Sequence, residues 1–146
     1  MKWDYVEELK SVQLISEYEE KVSYHFPGEF KEFIILYNAG YPEYTIFNSY
    51  RGKKKIKRVF NYLYSFNKED KDCIWEYNDW NGYMSGWNTE GKMEKYVAFA
   101  GDPFGNLICF DKTDDKIVFI DHETHEIEEV ADSFTEFINS LRKKKL

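Results

Sequence analysis

The chain has 146 residues and a formal net charge of −7 at pH 7, and aromatic side chains make up 19% of it. This length suits a single domain, residues 1–146, that folds without the help of a metal or a disulfide. The aromatic content excludes a disordered chain, and Gly and Pro are too few for a collagen-like or linker-like protein.

The charges are unevenly distributed along the chain. Residues 51–58, RGKKKIKR, hold six basic side chains and no acidic one, and residues 142–145 add four more. Without those, ten basic residues remain against 27 acidic ones, a net charge of about −17. A body this acidic repels nucleic-acid phosphates and favours a basic partner.

The basic run of residues 51–58 has the composition of a phosphate-binding or lipid-binding site, but an exposed hairpin tip that keeps the protein soluble explains it better.

The small number of cysteines and the short apolar stretches predict a soluble protein in a reducing compartment. Cys73 and Cys109 are too few for a disulfide framework. The N-terminal residues lack the apolar core of a signal peptide, and the apolar runs are too short to cross a membrane. We therefore expect a soluble, cytoplasmic protein with no membrane partner.

The N-terminal third has helical patterns. Residues 3–10 are expected to form a short first helix. Ser16 and Glu19 make a capping-box pattern, which predicts the start of a second helix.

A further helix is predicted after Pro27, which suits a first helical turn. Its amphipathic stripe follows the spacing i, i+3, i+4, i+7 and consists of Phe30, Phe33, Ile34 and Tyr37. Asn38 and Gly40 are expected to end this helix, because both tolerate a left-handed backbone.

The middle of the chain changes to strand patterns. Two segments rich in β-branched and aromatic residues, Thr45–Tyr50 and Lys57–Phe66, predict strands. The basic run between them is expected to be an exposed hairpin turn. Residues 72–81 weakly favour a helix, and residues 82–92, with three glycines, favour a loop.

The last third predicts an antiparallel meander of four short strands. These are Tyr96–Ala100, Leu107–Phe110, Lys116–Asp121 and Glu126–Val130. A second capping box, Ser133 with Glu136, starts a closing helix whose apolar face comprises Phe134, Phe137, Ile138 and Leu141. The four cations after it complement the helix dipole. The predicted fold is α+β: N-terminal helices, a mostly antiparallel mixed sheet and a C-terminal helix.

No group of residues in the sequence forms a recognisable catalytic or metal site. Cys109 lies in an apolar strand, which favours packing over nucleophilic chemistry. In DHETHE, His122 and His125 are three residues apart in a predicted turn, whereas the HExxH metal motif needs a spacing of four on a helix. We therefore expect no catalytic residue, no metal and no cofactor.

One further pattern is compatible with catalysis, and another is excluded as a phosphate site. Carboxylates are numerous enough to offer a hydrolase pair by chance: Glu76, Asp79, Asp102, Asp111, Asp114 and Asp115. The segment GDPFG, 101–105, lacks the phosphate-loop pattern and has turn chemistry instead.

The most unusual stretch is WEYNDWNGYMSGW, residues 75–87. Trp and Tyr are enriched at protein-binding hot spots. For Trp75 and Trp80, core packing and partner binding remain equally supported. A partner surface is predicted near Glu76, Asp79, Trp80, Tyr83 and Asp102.

Several motifs occur together in a recognisable order. ISEYEEK (15–21), FPGEFKEFI (26–34) and LYNAG (36–40) resemble the N-terminal helices of the SUKH superfamily, the family of a yeast cell-wall-synthesis regulator and of bacterial toxin-immunity proteins. FAGDPFGNLICFD (99–111) resembles its central hairpin, and VADSFTEFINSL (130–141) its closing helix. Phe26 and Ala39 depart mildly from the family's Leu-Pro and Asn-Gly-Gly patterns.

This resemblance implies an α+β fold and a binding protein without shared catalytic residues. It implies an intracellular immunity protein that neutralises a cognate polymorphic toxin, such as a nuclease, by stoichiometric binding, as a monomer or weak homodimer. Three alternatives stay open: a regulatory adaptor, a small-ligand-binding protein of the same fold, and a hydrolase that uses the carboxylates.

Overall fold

Three helices and nine strands form the secondary structure of residues 1–145, which the computed structural model describes. The helices are α1 (Gln13–Val22), α2 (Gly28–Tyr37) and α3 (Phe134–Ser140). The strands are β1 (Trp3–Asp4), β2 (Tyr41–Pro42), β3 (Ile46–Arg51), β4 (Lys54–Val59), β5 (Tyr62–Leu63), β6 (Tyr96–Gly101), β7 (Leu107–Asp111), β8 (Ile117–Ile120) and β9 (Ile127–Ala131). The predicted α+β fold is confirmed.

Seven strands form one antiparallel sheet in the order β4-β3-β9-β8-β7-β6-β5, and β1 pairs with β2 separately. The edge strands β4 and β5 are joined by Phe60 and Asn61 alone. The sheet therefore curls until its two edges approach each other at this connection. Among residues 1–145, the parallel pairing is a single bridge between Ser65 and Cys73.

The core between the helices and the sheet is built from phenylalanines. Phe30 of α2 lies at its centre, with its ring centroid 5.0 Å from those of Phe110 and Phe134 and 5.4 Å from that of Phe99. Edge-to-face pairs at these distances add to the hydrophobic stabilisation. The amphipathic stripe predicted for α2 is thus the face that meets the sheet.

The predicted helix starts need correction in the N-terminal third. Residues 3–10 form no helix; they contain β1 and an irregular segment. Helix α1 starts at Gln13, whose N–H donates to the Ser11 hydroxyl, so Ser16 lies inside the helix. Glu19 does not close a capping box, because its carboxylate accepts the Phe26 N–H at 2.7 Å.

The end of α2 also differs in detail from the prediction. Asn38 has an extended backbone, and Ala39 adopts the left-handed conformation with φ 65°. The Asn38 side chain is buried and bonds to the Glu7 carbonyl, the Ser65 hydroxyl and the Phe66 N–H. Gly40 is needed for space, since a Cβ there would lie 2.9 Å from the Tyr37 carbonyl oxygen.

The closing helix follows its sequence pattern. The Ser133 hydroxyl accepts the Glu136 N–H at 3.1 Å, as the capping box predicts. The helix ends before Leu141, and Arg142 instead pairs with Ile46 of β3 in an antiparallel bridge. Arg142 lies two residues beyond the last helical residue, Ser140, and its backbone continues the chain along β3.

The basic run forms a hairpin, but most of it lies in a strand and not in the turn. The loop is Gly52 and Lys53, with Gly52 at φ 63°, and the cations that follow belong to β4. Arg51 and Arg58 bind the fully buried Glu128 of β9 at 2.7 and 2.6 Å. Burial opposes ionisation of this carboxyl, but bonds from Ser49 and both arginines outweigh it and hold the pKa of Glu128 below its usual value.

The segment between β5 and β6 has little regular structure. A helix over residues 72–81 is wrong, since only Ile74–Glu76 forms one turn of 3₁₀-helix. The loop over residues 82–92 is confirmed as turns with two short 3₁₀ segments, Ser85–Trp87 and Thr89–Gly91. Within residues 1–145, no helix has the length and apolar character that crossing a bilayer requires.

Candidate functional site

Residues 72–95 are attached to the edge of β6 by side chains. Strand β5 pairs with β6 only at Ala100 and Gly101, which leaves the Ala98 backbone open. The Asn78 amide fills this place: its oxygen accepts the Ala98 N–H at 2.7 Å and its nitrogen donates to the Ala98 carbonyl at 2.9 Å. One side-chain amide therefore continues the pairing that β5 leaves incomplete.

The outer surface of this segment contains a groove of about 410 Å³, lined by Trp75, Glu76, Asp79 and Tyr83. Tyr83 is 87% exposed, and Glu76 and Asp79 are exposed as well. Trp75 is half-buried, and its indole N–H donates to the Phe66 carbonyl at 3.0 Å. We call these four residues the Trp75–Tyr83 groove.

The turn around Asp79 explains why Tyr83 points outward. The Asp79 carboxylate accepts the Tyr83 N–H at 3.1 Å, and its carbonyl accepts the Met84 N–H at 2.8 Å. Trp80 and Met84, on either side of this turn, are buried and anchor it to the core. A Cβ on Gly82 would clash with a carboxylate oxygen of Asp79, so a larger residue there would displace the carboxylate that accepts the Tyr83 N–H.

The charges around the groove differ between its two ends. Beside Asp79, Asn81 donates to the Glu94 carboxylate at 3.1 Å, and Asp79 and Glu94 line a neighbouring pocket together with Lys21. At the other end, the Lys68 and Lys21 ammonium groups lie 4.4 and 5.4 Å from the centre of the Trp75 ring. The Tyr83 end therefore suits a cationic side chain, which can stack on the phenol ring and pair with carboxylates.

The structure brings three of the five predicted partner residues together. Glu76, Asp79 and Tyr83 share the groove. Trp80 is only 6% exposed, and its indole N–H donates to the Tyr96 carbonyl at 3.1 Å. It belongs to the hydrophobic core and offers a partner very little surface.

The fifth predicted partner residue, Asp102, is 6% exposed in the turn between β6 and β7. Its carboxylate accepts the backbone N–H groups of Phe104 and Asn106 and the side-chain amide of Asn106. These bonds shape the turn and occupy both oxygens. Asp102 therefore acts as a turn cap, as Asp commonly does.

The remaining candidates for chemistry lie apart from the groove. Burial raises the pKa of the Cys109 thiol well above its usual value, which disfavours the nucleophilic thiolate. His122 contacts Asn106 at 2.8 Å, and the His125 ring stacks on Trp87. Within the part of the chain that the structure describes, no three His, Cys, Asp or Glu residues lie together as metal ligands would.

Sequence reasoning missed two contributors to the site. Asn78 sits in the middle of the segment, but no local pattern marks it, since its partner Ala98 is twenty residues further along the chain. Lys68 is likewise brought to the groove only by the fold.

Comparison with known proteins adds one positive finding. The SUKH_6 family model, described as SMI1-KNR4 cell-wall, matches residues 13–138. No curated protein is similar enough to be matched to the chain. Because the matched range covers most of the chain, the chain belongs to the SMI1-KNR4 family. Domains of this family occur in immunity-type and regulatory proteins that are generally not enzymes.

Proposed function

We propose that this member of the SMI1-KNR4 family is an intracellular immunity protein that binds a cognate toxin domain one-to-one and blocks it. The observation that carries the proposal is the Trp75–Tyr83 groove, an exposed aromatic and acidic surface on a family fold found in immunity-type proteins. The toxin we infer is a nuclease, whose phosphate-binding surface is basic.

The groove offers the features of a binding hot spot. Tyr83 presents nearly its whole ring on a turn that hydrogen bonds hold in place, so little conformational entropy is lost when it is covered. An Arg or Lys of the toxin that lies on this ring would meet the carboxylates of Glu76 and Asp79. A cation used by the toxin for phosphate binding would then be occupied.

Long-range electrostatics support the same partner. Outside its two basic runs the chain carries a net charge of about −17. A field of this sign accelerates the encounter with a basic protein, and salt screens it. We therefore expect fast association that slows as ionic strength rises.

The decisive experiment is calorimetric titration of the protein against the C-terminal domain of the secreted toxin encoded next to it, at two salt concentrations. The expected result is one-to-one binding with a nanomolar Kd that weakens with salt. Co-expression should also relieve the growth arrest that the toxin causes. Absence of heat between two folded proteins would exclude that partner and would favour the adaptor or ligand-binding alternatives.

A matched pair of variants locates the interface. Tyr83→Ala should weaken toxin binding by about 30-fold, the effect of a tyrosine hot spot. Tyr5→Ala removes another exposed tyrosine, 79% exposed and far along the chain, and should leave the Kd unchanged. Equal affinities for both variants and the wild type would move the interface away from the groove.

A further inference from the structure

Strand β4 leaves one edge of the seven-stranded sheet unpaired. Ile46 exchanges both its backbone hydrogen bonds with Arg142, at 3.0 and 2.9 Å, so its N–H and C=O point away from β4. Hydrogen-bonded and non-hydrogen-bonded pairs alternate along antiparallel strands. From the register, the backbone groups of Lys55 and Lys57 therefore point outward from the sheet. Within residues 1–145, these outward groups pair with no other strand.

The same edge carries concentrated positive charge. Lys55 and Lys57 are exposed and lie opposite Tyr50 and Asn48 of β3, on one face of the hairpin. The Arg142 guanidinium donates to the Asn48 side chain at 2.9 Å. Arg142 pairs with Ile46 on the side of β3 that faces away from β4, so it adds positive charge beside Asn48 but does not lie on the free edge itself.

Within the described residues, the exposed lysines of the hairpin form no ion pairs. Lys53, Lys54, Lys55 and Lys57 have no carboxylate within 4.0 Å, whereas Arg51 and Arg58 are held by Glu128. Two arginines of the run thus stabilise the hairpin, and the lysines are free to meet a partner.

We propose that β4 is a docking edge for an extended acidic segment of a partner protein, which joins the sheet as an additional strand. Main-chain bonds to Lys55 and Lys57 would supply affinity, as in other cases of strand addition. Directly opposite side chains lie about 5 Å apart on the same face, so every second residue of the segment would place a carboxylate against a lysine. The residue between them would face the half-buried Ile56 and is expected to be apolar.

The size of the partner favours a peptide over other polyanions. An added strand lies about 4.8 Å from β4 and contacts only this edge. A nucleic-acid duplex or an anionic membrane is broader and would also face the acidic body of a chain whose net charge is −7. Pairing of β4 with a second copy is disfavoured because it would bring lysines against lysines.

This edge is separate from the Trp75–Tyr83 groove, and the two proposals fail independently. Loss of toxin binding would leave the peptide result unaffected. Absence of peptide binding would equally leave the groove as the toxin interface.

The probe is a short blocked peptide of alternating glutamate and valine, titrated by fluorescence anisotropy at low salt. We expect a micromolar Kd and slower hydrogen exchange at the Lys55 and Lys57 amides of the bound protein. A second peptide with N-methylated glutamates keeps the charge but lacks the N–H groups that would face Lys55 and Lys57 across the ladder. It should bind at least about tenfold more weakly, because it cannot complete the strand ladder.

Charge-reversal variants supply the matched control. Lys55→Glu/Lys57→Glu should weaken peptide binding at least about tenfold, since attraction becomes repulsion at two opposed positions. Lys71→Glu/Lys92→Glu makes the same change in net charge at exposed lysines elsewhere, and should alter the Kd less than about twofold. Circular dichroism checks that both variants are folded.

Three results would overturn the proposal. The first is equal weakening in the two double variants, and the second is equal binding of the peptide with N-methylated glutamates. The third is tighter binding of oligothymidine or phosphatidylserine vesicles than of the glutamate–valine peptide, without protection of the Lys55 and Lys57 amides.

Discussion

Two aromatic-rich regions of this protein differ in how far their aromatic rings are buried. In residues 96–141, the phenylalanines within the strands and the helix follow the period of their element and are buried: Phe99, Phe110, Phe119, Phe134 and Phe137. Phe104, in the turn between β6 and β7, is 67% exposed. In residues 72–95, aromatic side chains follow no period, and their exposure ranges from 6% at Trp80 to 87% at Tyr83. Periodicity, more than aromatic content, therefore decides which rings are buried.

The two regions are also held by different forces. Residues 96–141 are stabilised by strand pairing and by aromatic contacts with α2. Residues 72–95 are held by a few buried side chains, such as Met84, and by individual bonds from side chains to the backbone, such as those of Asn78 and Trp80. We expect the second region to open locally at a lower free energy, which suits a surface that binds a partner.

The largest effect is expected from Phe137→Ala in the first region. Phe137 is fully buried and packs against Phe47 and Phe60, with centroids 5.2 and 5.6 Å away. Removing the ring leaves a cavity, so the free energy of unfolding should fall by about 3–5 kcal/mol. Urea denaturation measures it. A loss below about 1 kcal/mol would show that the Phe137 ring stabilises the fold no more than a side chain in residues 72–95 does.

Glu128→Gln tests the buried charge in the first region and comes next in size. It leaves Arg58 without the carboxylate that it binds, whereas Arg51 keeps its ion pair with Glu126 at 3.0 Å. A loss of about 2–3 kcal/mol is expected near neutral pH, because both arginines retain some access to water.

The pH dependence of this variant has a definite sign. The pKa of Glu128 is lowered in the folded protein, so its stabilisation is present above the unfolded value near 4.5 and is lost as pH falls through the folded pKa. The wild type should therefore approach Glu128→Gln in stability in acid. A constant difference between the two across urea titrations from neutral pH into acid would contradict this account.

Trp80→Phe should have a moderate effect in the second region. It keeps an aromatic ring beneath the groove but loses the hydrogen bond to the Tyr96 carbonyl. We expect a loss of about 1–2 kcal/mol, from one unmade bond and a small cavity. Hydrogen exchange should accelerate in residues 72–95 first. Uniform acceleration over the whole sheet would mean that the two regions unfold together.

Tyr83→Ala should have the smallest effect on stability. The side chain is 87% exposed, so the free energy of unfolding should change by less than about 0.5 kcal/mol. The same substitution is expected to weaken toxin binding strongly, so it separates the role of residues 72–95 in binding from their role in stability. A large loss of stability in thermal or urea unfolding would assign Tyr83 a packing role.

Patterns confined to a few neighbouring residues predicted the fold well. Three predictions are confirmed: the apolar stripe of α2, the meander and the Ser133 capping box. Each depends on contacts between residues or strands that are close in the sequence. The start of α1 was misplaced because Ser11 and Ser16 offer similar hydroxyls, and only one meets a free N–H. Residues 72–81 were misjudged because their bonds run to β6 and not within the segment.

The sequence by itself determined the α+β class, the family and the acidic character of the body, since composition and local period are properties of the chain alone. Only the tertiary structure decided which candidates reach the surface. Trp80 and Asp102 are buried while Glu76, Asp79 and Tyr83 face solvent. It also brought Arg142 beside the hairpin of residues 51–58. The burial of Trp80 and the position of Arg142 depend on contacts with Tyr96 and Ile46, which are distant in the sequence, and a local sequence pattern does not contain such contacts.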